Sequence, residues 1–201
     1  MILYITMENE NFEDLVKNFN RYLIENKHEY LTLFSKLQIQ IEGWFRGKLM
    51  HYLKEINYEL TPENREIKIP NQGLKERKKV DFKIKINDEW CWIELKHILI
   101  GYQKSKDNRF KLLDYFRGYN SFSVTNDIKK LKKVNPDPAY VLCFASVNDN
   151  SVIDAGVLEK MINEILNDVK IGADLKAWNF DNDSSCAYFI LKVKPDHNPI
   201  C

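Results

Sequence analysis

Two acids and a lysine, Asp81, Glu94 and Lys96, have the types and spacing to bind a hard cation beside a phosphate. They lie in the segment Lys79-Val80-Asp81-Phe82-Lys83-Ile84-Lys85-Ile86, Asn87-Asp88, Glu89-Trp90-Cys91-Trp92-Ile93-Glu94-Leu95-Lys96-His97. Both runs alternate with period two, and Asn-Asp suits a two-residue hairpin turn. That turn pairs Ile86 with Glu89, Ile84 with Cys91, Phe82 with Ile93 and Asp81 with Glu94. One face then carries Val80, Phe82, Ile84, Cys91, Ile93 and Leu95. The other carries Asp81, Lys83, Lys85, Trp90, Trp92, Glu94 and Lys96. Like charges directly opposite destabilise a ladder, and a divalent ion between them relieves the repulsion with oxygen ligands alone. A solvated face on which Lys79, Lys83 and Lys96 neutralise the acids accounts for the same pattern.

The elements around the hairpin must position these groups. Residues 8–27 have helical spacing (Phe12, Leu15, Phe19, Leu23), and a second run from about His28 to Ile56 carries a stripe from Phe34 to Ile56. Arg65 to Ile69 reads as a short strand ending at Pro70, and 71–78 as a polar loop. Part of the basic and aromatic stretch 101–124 is helical, with Asp107 or Asn108 as cap. Val124-Thr125-Asn126-Asp127 then opens a helix to Lys133, with Thr125 or Asn126 as N-cap. Ala139 to Ala145 is apolar throughout, as a strand covered on both faces would be. Asp154 to Val169 is an amphipathic helix and Cys186 to Val193 a last strand. The order predicts an α/β fold, a mixed central β-sheet flanked by helices, over residues 1–201 as one domain: an N-terminal helical segment (1–28), a core (29–145) and a C-terminal helix and strand (146–201).

Composition narrows the partners. The 201 residues are 44% hydrophobic with a net charge of +1, but residues 65–133 hold 18 basic and 9 acidic groups, net +9. Such concentration suits a polyanion. No apolar run is long enough to span a membrane, and Met1 to Ile5 is too short for a signal-peptide core. Cys91, Cys143, Cys186 and Cys201 form no close pair and share no ligand spacing with the four histidines, so buried thiols in a reducing cytoplasm are expected.

Glu42 is a third carboxylate of interest, at the edge of the apolar stripe beside Ile41 and Phe45. Gly43 and Gly47 follow it, each costing about 1 kcal/mol against alanine inside a helix, so a close approach of another backbone is expected there. Equally, Glu42 and Arg46 make an i,i+4 ion pair worth at most about 0.5 kcal/mol and the glycines are merely tolerated.

A helix bearing Glu42, a short strand, a hairpin with Asp81 and then Glu94-Leu95-Lys96, a helix with Asp127-Ile128-Lys129-Lys130-Leu131 and a buried strand together resemble the PD-(D/E)xK nuclease superfamily, over roughly Leu31 to Ala145. Val80 stands where the name-giving proline would be. The resemblance implies a restriction-endonuclease-like fold and a Mg²⁺-dependent DNA endonuclease, with Mn²⁺ as substitute. Asp81, Glu94 and Lys96 are then the catalytic residues, and Asp81, Glu94, the Leu95 carbonyl and Glu42 the metal ligands. Two ions about 4 Å apart could stabilise attacking and leaving oxygens. Beside a metal the Lys96 ammonium is disfavoured, which makes its amine a candidate base. Lys79, Lys83, Lys104, Lys106 and Arg109 are expected on backbone phosphates. Trp90 and Trp92 suit a covered surface better than base stacking. The small chain points to a type II restriction enzyme, and symmetric double-strand cutting would call for a homodimer. A structure-specific repair or recombination nuclease, and a catalytically silent nucleic-acid-binding relative, are the competing readings.

Overall fold

The computed structural model describes residues 11–37, 41–58, 65–68, 79–100, 108–117, 123–134, 137–147, 154–179 and 186–194. Asn87 and Asp88 set its central hairpin. Both take left-handed conformations, φ 48° and 65°, which asparagine and aspartate tolerate and which match the twist of the flanking strands. Strands β2 (Lys79–Ile86) and β3 (Glu89–Ile100) pair antiparallel in the expected register, from Ile86↔Glu89 to Phe82↔Ile93.

Around this hairpin runs a mixed six-stranded sheet, in the order β1-β2-β3-β4-β6-β5. Its other strands are β1 (Arg65–Lys68), β4 (Ala139–Val147), β5 (Ala173–Asn179) and β6 (Cys186–Val193). Only β3 and β4 pair parallel, and the connection between them carries α3 (Asn108–Phe116) and α4 (Val124–Leu131). A parallel pair needs a long crossover, and helices supply it. The apolar run of β4 is buried between β3 and β6, as a central strand should be.

Helices cover both faces. α1 (Phe12–Leu37) and α2 (Glu42–Glu55) pack Phe12, Leu15, Phe19, Leu23, Phe45 and Leu49 against Phe82, Ile84, Ile93, Leu95, Leu142 and Tyr188. On the other side, Leu112 and Phe116 of α3, Ile128 and Leu131 of α4, and Leu158, Ile162 and Ile165 of α5 (Ala155–Asp168) meet Trp92, Ile98, Val141, Cys143 and Phe189. Asp154 caps α5 by accepting the Val157 N–H at 2.9 Å.

Several expectations change. α1 runs without a break from Phe12 to Leu37, past the boundary expected near residue 27, and α2 begins at Glu42. α4 is capped by Ser123, two or three residues before the expected Thr125 or Asn126, and with no side-chain hydrogen bond to the helix. β5 was not anticipated; it is an edge strand in which Ala173, Leu175 and Ala177, partly buried on the core, alternate with the exposed Asp174 and Lys176. Val80 packs with Trp92 rather than with Phe82 and Ile84, so the sheet face changes across Asp81. Gly43 and Gly47 face open space, with nothing within 4 Å of an added Cβ, so no close backbone approach explains them. Cys91, Cys143 and Cys186 are free and buried, while Cys201 lies outside the described residues. No helix among the described residues is long and apolar enough to cross a membrane.

Candidate active site

Glu94 and Lys96 interrupt an otherwise apolar face of β3. Trp92, Ile98 and Ile100 of that face lie in the core beneath α3, α4 and α5. Alternation sends Glu94 and Lys96 the same way. They are 8% and 7% exposed. Charged side chains this deep need partners.

α4 provides them. Its buried stripe is Val124, Thr125, Asp127, Ile128 and Leu131, so Asp127 sits among apolar residues facing β3. Lys96 Nζ lies 2.9 Å from Asp127 Oδ2. Lys130, one turn on, places Nζ 2.6 Å from Glu94 Oε1 and 3.5 Å from Asp127 Oδ1. Glu94 Oε2 is buried without a hydrogen-bond partner among the described residues.

Asp81 approaches from β2. The recorded β2–β3 pairs end at Phe82↔Ile93, and the expected Asp81↔Glu94 pair is not among them. Instead the Leu95 N–H donates to Asp81 Oδ2 at 2.9 Å. Asp81 Oδ1 meets Arg46 Nη2 of α2 at 2.5 Å, a charge-assisted bond. Arg46 also pairs with Glu42 at 3.7 Å, the expected i,i+4 contact. Glu42 in turn accepts a hydrogen bond from the His97 backbone and feels the charges of Lys96 and Asp81. Glu42, Asp81, Glu94 and Lys96 are therefore brought together, as expected. Leu95 packs its side chain in the core, which leaves only its backbone to serve a ligand.

The electrostatics follow from this crowding. Burial, then the like charge of Asp81, pushes the Glu94 carboxyl up to about 8 against the pull of Lys130. Burial likewise raises Glu42. For Lys96, burial works against the ammonium, but the carboxylates of Asp127, Glu42 and Glu94 together outweigh it and raise the pKa. The lowered pKa expected of Lys96 beside a metal is thus opposed by a carboxylate the sequence reading did not pair with it. His97, on the opposite face, is driven down to about 4 by burial. The Ile41 N–H donates to its Nδ1 at 3.4 Å, which makes Nε2 the donor to Ser146 Oγ at 2.9 Å.

The expected phosphate contacts divide. Lys79 is exposed at the start of β2. Lys83 is half-buried, its Nζ 4.8 Å from the Trp90 ring centroid and 4.6 Å from that of Trp92, in cation–π range of both. Trp92 itself is buried and donates from Nε1 to Asp137 Oδ2 at 2.9 Å, whereas Trp90 remains exposed. Lys104 and Lys106 lie outside the described residues, and Arg109 falls in α3 with its side chain outside them.

Compared with protein families, curated proteins and solved structures, the chain matches none. Function must therefore be argued from the cluster itself.

Arg46, Asp127 and Lys130 were not singled out by the sequence as parts of the site. Arg46 was visible only as a helical partner of Glu42. Asp127 did leave a signal, an acid inside the stripe Val124, Ile128, Leu131. In donor chemistry the cluster fits a hard divalent ion: Asp81, Glu94, Glu42 and the Leu95 carbonyl are all oxygen ligands, and Glu94 Oε2 has no other bond. In position, no three His, Cys, Asp or Glu side chains among the described residues converge as a ligand set. Lys130 holds Glu94 Oε1 and leaves Oε2 open, whereas both oxygens of Asp81 are engaged by Arg46 and the Leu95 N–H, so ion binding calls for a side-chain shift at the Asp81–Arg46 pair.

Proposed function

We propose that this chain is a metal-dependent deoxyribonuclease that hydrolyses phosphodiester bonds, with the restriction-endonuclease-like fold and PD-(D/E)xK site its sequence resembles. The observation that carries this reading is a gathering of more acids than cations in a largely buried place, which makes Glu94 hold its proton up to about pH 8. Four carboxylates (Glu42, Asp81, Glu94, Asp127) meet three cations (Arg46, Lys96, Lys130). Burying ions costs several kcal/mol each, and an unbalanced acid is the most costly member. Nothing in the packing demands such a cluster, since apolar side chains of similar volume would fill the same space at less cost. Perturbed acids gathered in this way are the mark of a functional site.

Asp81, Glu94, the Leu95 carbonyl and Glu42 would hold Mg²⁺ or Mn²⁺. Such an ion supplies Lewis-acid charge for a phosphoryl oxygen and a water that loses its proton near neutral pH. The chain's own groups do the remaining work. Leu95 N–H and Arg46 fix the Asp81 carboxylate in orientation. Lys96, as an ammonium, offers positive charge and a proton donor to the phosphate. Lys79, with the exposed Lys129 and Lys133 at α4 and just beyond it, presents cations for flanking phosphates.

A type II restriction-type activity is the more specific form of the proposal. Supercoiled plasmid incubated with Mg²⁺, with an EDTA control, tests it. Discrete linear fragments are expected, and none from Lys96→Ala. Cutting confined to branched or damaged DNA would assign the chain to structure-specific repair instead. Retained DNA binding without cleavage in Mg²⁺ or Mn²⁺ would sink the catalytic reading.

A further inference from the structure

Lys96, Asp127, Lys130 and Glu94 form a chain of alternating charge, open between Glu94 and Lys96. Along it the contacts are 2.9 Å from Lys96 to Asp127, 3.5 Å from Asp127 to Lys130 and 2.6 Å from Lys130 to Glu94. Two members come from one face of β3 at i and i+2, and two from one face of α4 at i and i+3. All four side chains are at least 87% buried, with exposures of 7, 9, 13 and 10% in the same order.

On a bare strand, an acid and a lysine at i and i+2 are close enough to turn toward each other. Here neither does so. Asp127 takes the lysine and Lys130 takes one oxygen of the acid, leaving Glu94 Oε2 without a partner. The helix thereby keeps apart two groups that would otherwise neutralise one another.

We propose that Asp127 and Lys130 of α4 are the positioning residues of this centre, Asp127 by holding the Lys96 ammonium in place and Lys130 by orienting Glu94 so that Oε2 is left open as a ligand oxygen. This inference rests on the nuclease reading. It adds that α4, a helix the three-residue motif does not include, sets the geometry of the motif. The position matters because a misplacement of about 1 Å in a reacting group can cost roughly 100-fold in rate.

Asp127→Asn keeps the shape and removes the charge. We expect kcat for DNA cleavage to fall about 10- to 100-fold with KM for DNA within about two-fold, because Asp127 does not contact substrate. Asp127→Glu, which restores the carboxylate, should recover part of that loss. A purely structural role would lower the melting temperature of Asp127→Asn without splitting kcat from KM, and recovery by glutamate would not follow. If Asp127→Asn does not fold, Lys130→Gln reads the same device from its other end, with the same fall in kcat. Wild-type kcat in either folded variant, or a rise in KM alone, overturns the inference and leaves the nuclease reading standing. No cleavage by the wild-type protein overturns both.

Discussion

Arg46 Nη2 lies 2.5 Å from Asp81 Oδ1 and ties the second helix to the strand at the point where its buried face changes sides. Asp81 is 9% exposed and has only the Leu95 N–H as a further partner among its recorded hydrogen bonds. Removing the guanidinium therefore leaves a buried carboxylate half-satisfied. Arg46→Met should lower stability by about 2 kcal/mol, which is roughly 4–8 °C in melting temperature for a chain of this size. A change below 1 °C by calorimetry would mean the pair contributes nothing.

Glu94 should make the protein less stable as pH rises. Its folded-state pKa is raised from 4.5 to about 8, first by burial and then by Asp81. Between those values the folded state binds the proton and the unfolded state does not, so stability falls with increasing pH. Between pH 6.5 and 8 the residual His97 contribution has the opposite sign and is common to the wild type and Glu94→Gln, so it cancels in their difference. The urea midpoint of the wild type should fall relative to that of Glu94→Gln between pH 6.5 and 8. Equal slopes for the two proteins would place the Glu94 charge outside the buried cluster.

His97 works in the opposite sense and in a lower window. Its pKa falls from 6.5 to about 4 on folding because burial penalises the imidazolium. From pH 6.5 down to 4 the unfolded chain takes up a proton that the folded chain refuses, so stability is lost on acidification. The displacement corresponds to roughly 3 kcal/mol over that range. His97→Gln, measured against wild type from pH 7 to 4, should remove that part of the acid sensitivity. Parallel curves would refute the assignment.

Lys79 and Lys83 should separate cleanly in a DNA-binding assay. Lys79 is exposed at the start of β2, so Lys79→Ala should weaken binding to all sequences alike and lower the salt slope by about 1. Lys83 is held over the Trp90 and Trp92 rings. Lys83→Ala should therefore cost about 0.5–1 kcal/mol of stability and leave the salt slope unchanged. Filter binding between 50 and 200 mM salt distinguishes the two, those limits being a range over which about 6–10 phosphate contacts change affinity strongly.

Much of the architecture was legible because it rests on local chemistry. Asn87-Asp88 fixes a turn, and the turn fixes the register of everything from Phe82 to Ile93. The unbroken apolar run of β4 announces a central strand, and Asp154 announces the start of α5. β5 was missed although Ala173, Leu175 and Ala177 alternate with the exposed Asp174 and Lys176, because two of those three core-facing side chains are alanine and the strand signal is weak. Val80 was placed on the wrong face because the alternation is interrupted at Asp81, whose carboxylate binds the Leu95 N–H. Period-two reasoning carries no information about such an interruption.

The sequence by itself determined which strand face carries Glu94 and Lys96, since side-chain alternation is a property of the covalent chain. It also placed Glu42 at the edge of an apolar stripe, although not as the first residue of α2. Only the tertiary structure decided which cations meet these acids. Arg46, Asp127 and Lys130 stand far along the chain from their partners, and their arrival depends on how α2 and α4 pack across the sheet. Those contacts are set by the apolar surfaces on which the helices pack. The burial that shifts Glu94 to about 8 belongs to the packed assembly, because desolvation exists only once both sides of the sheet are covered.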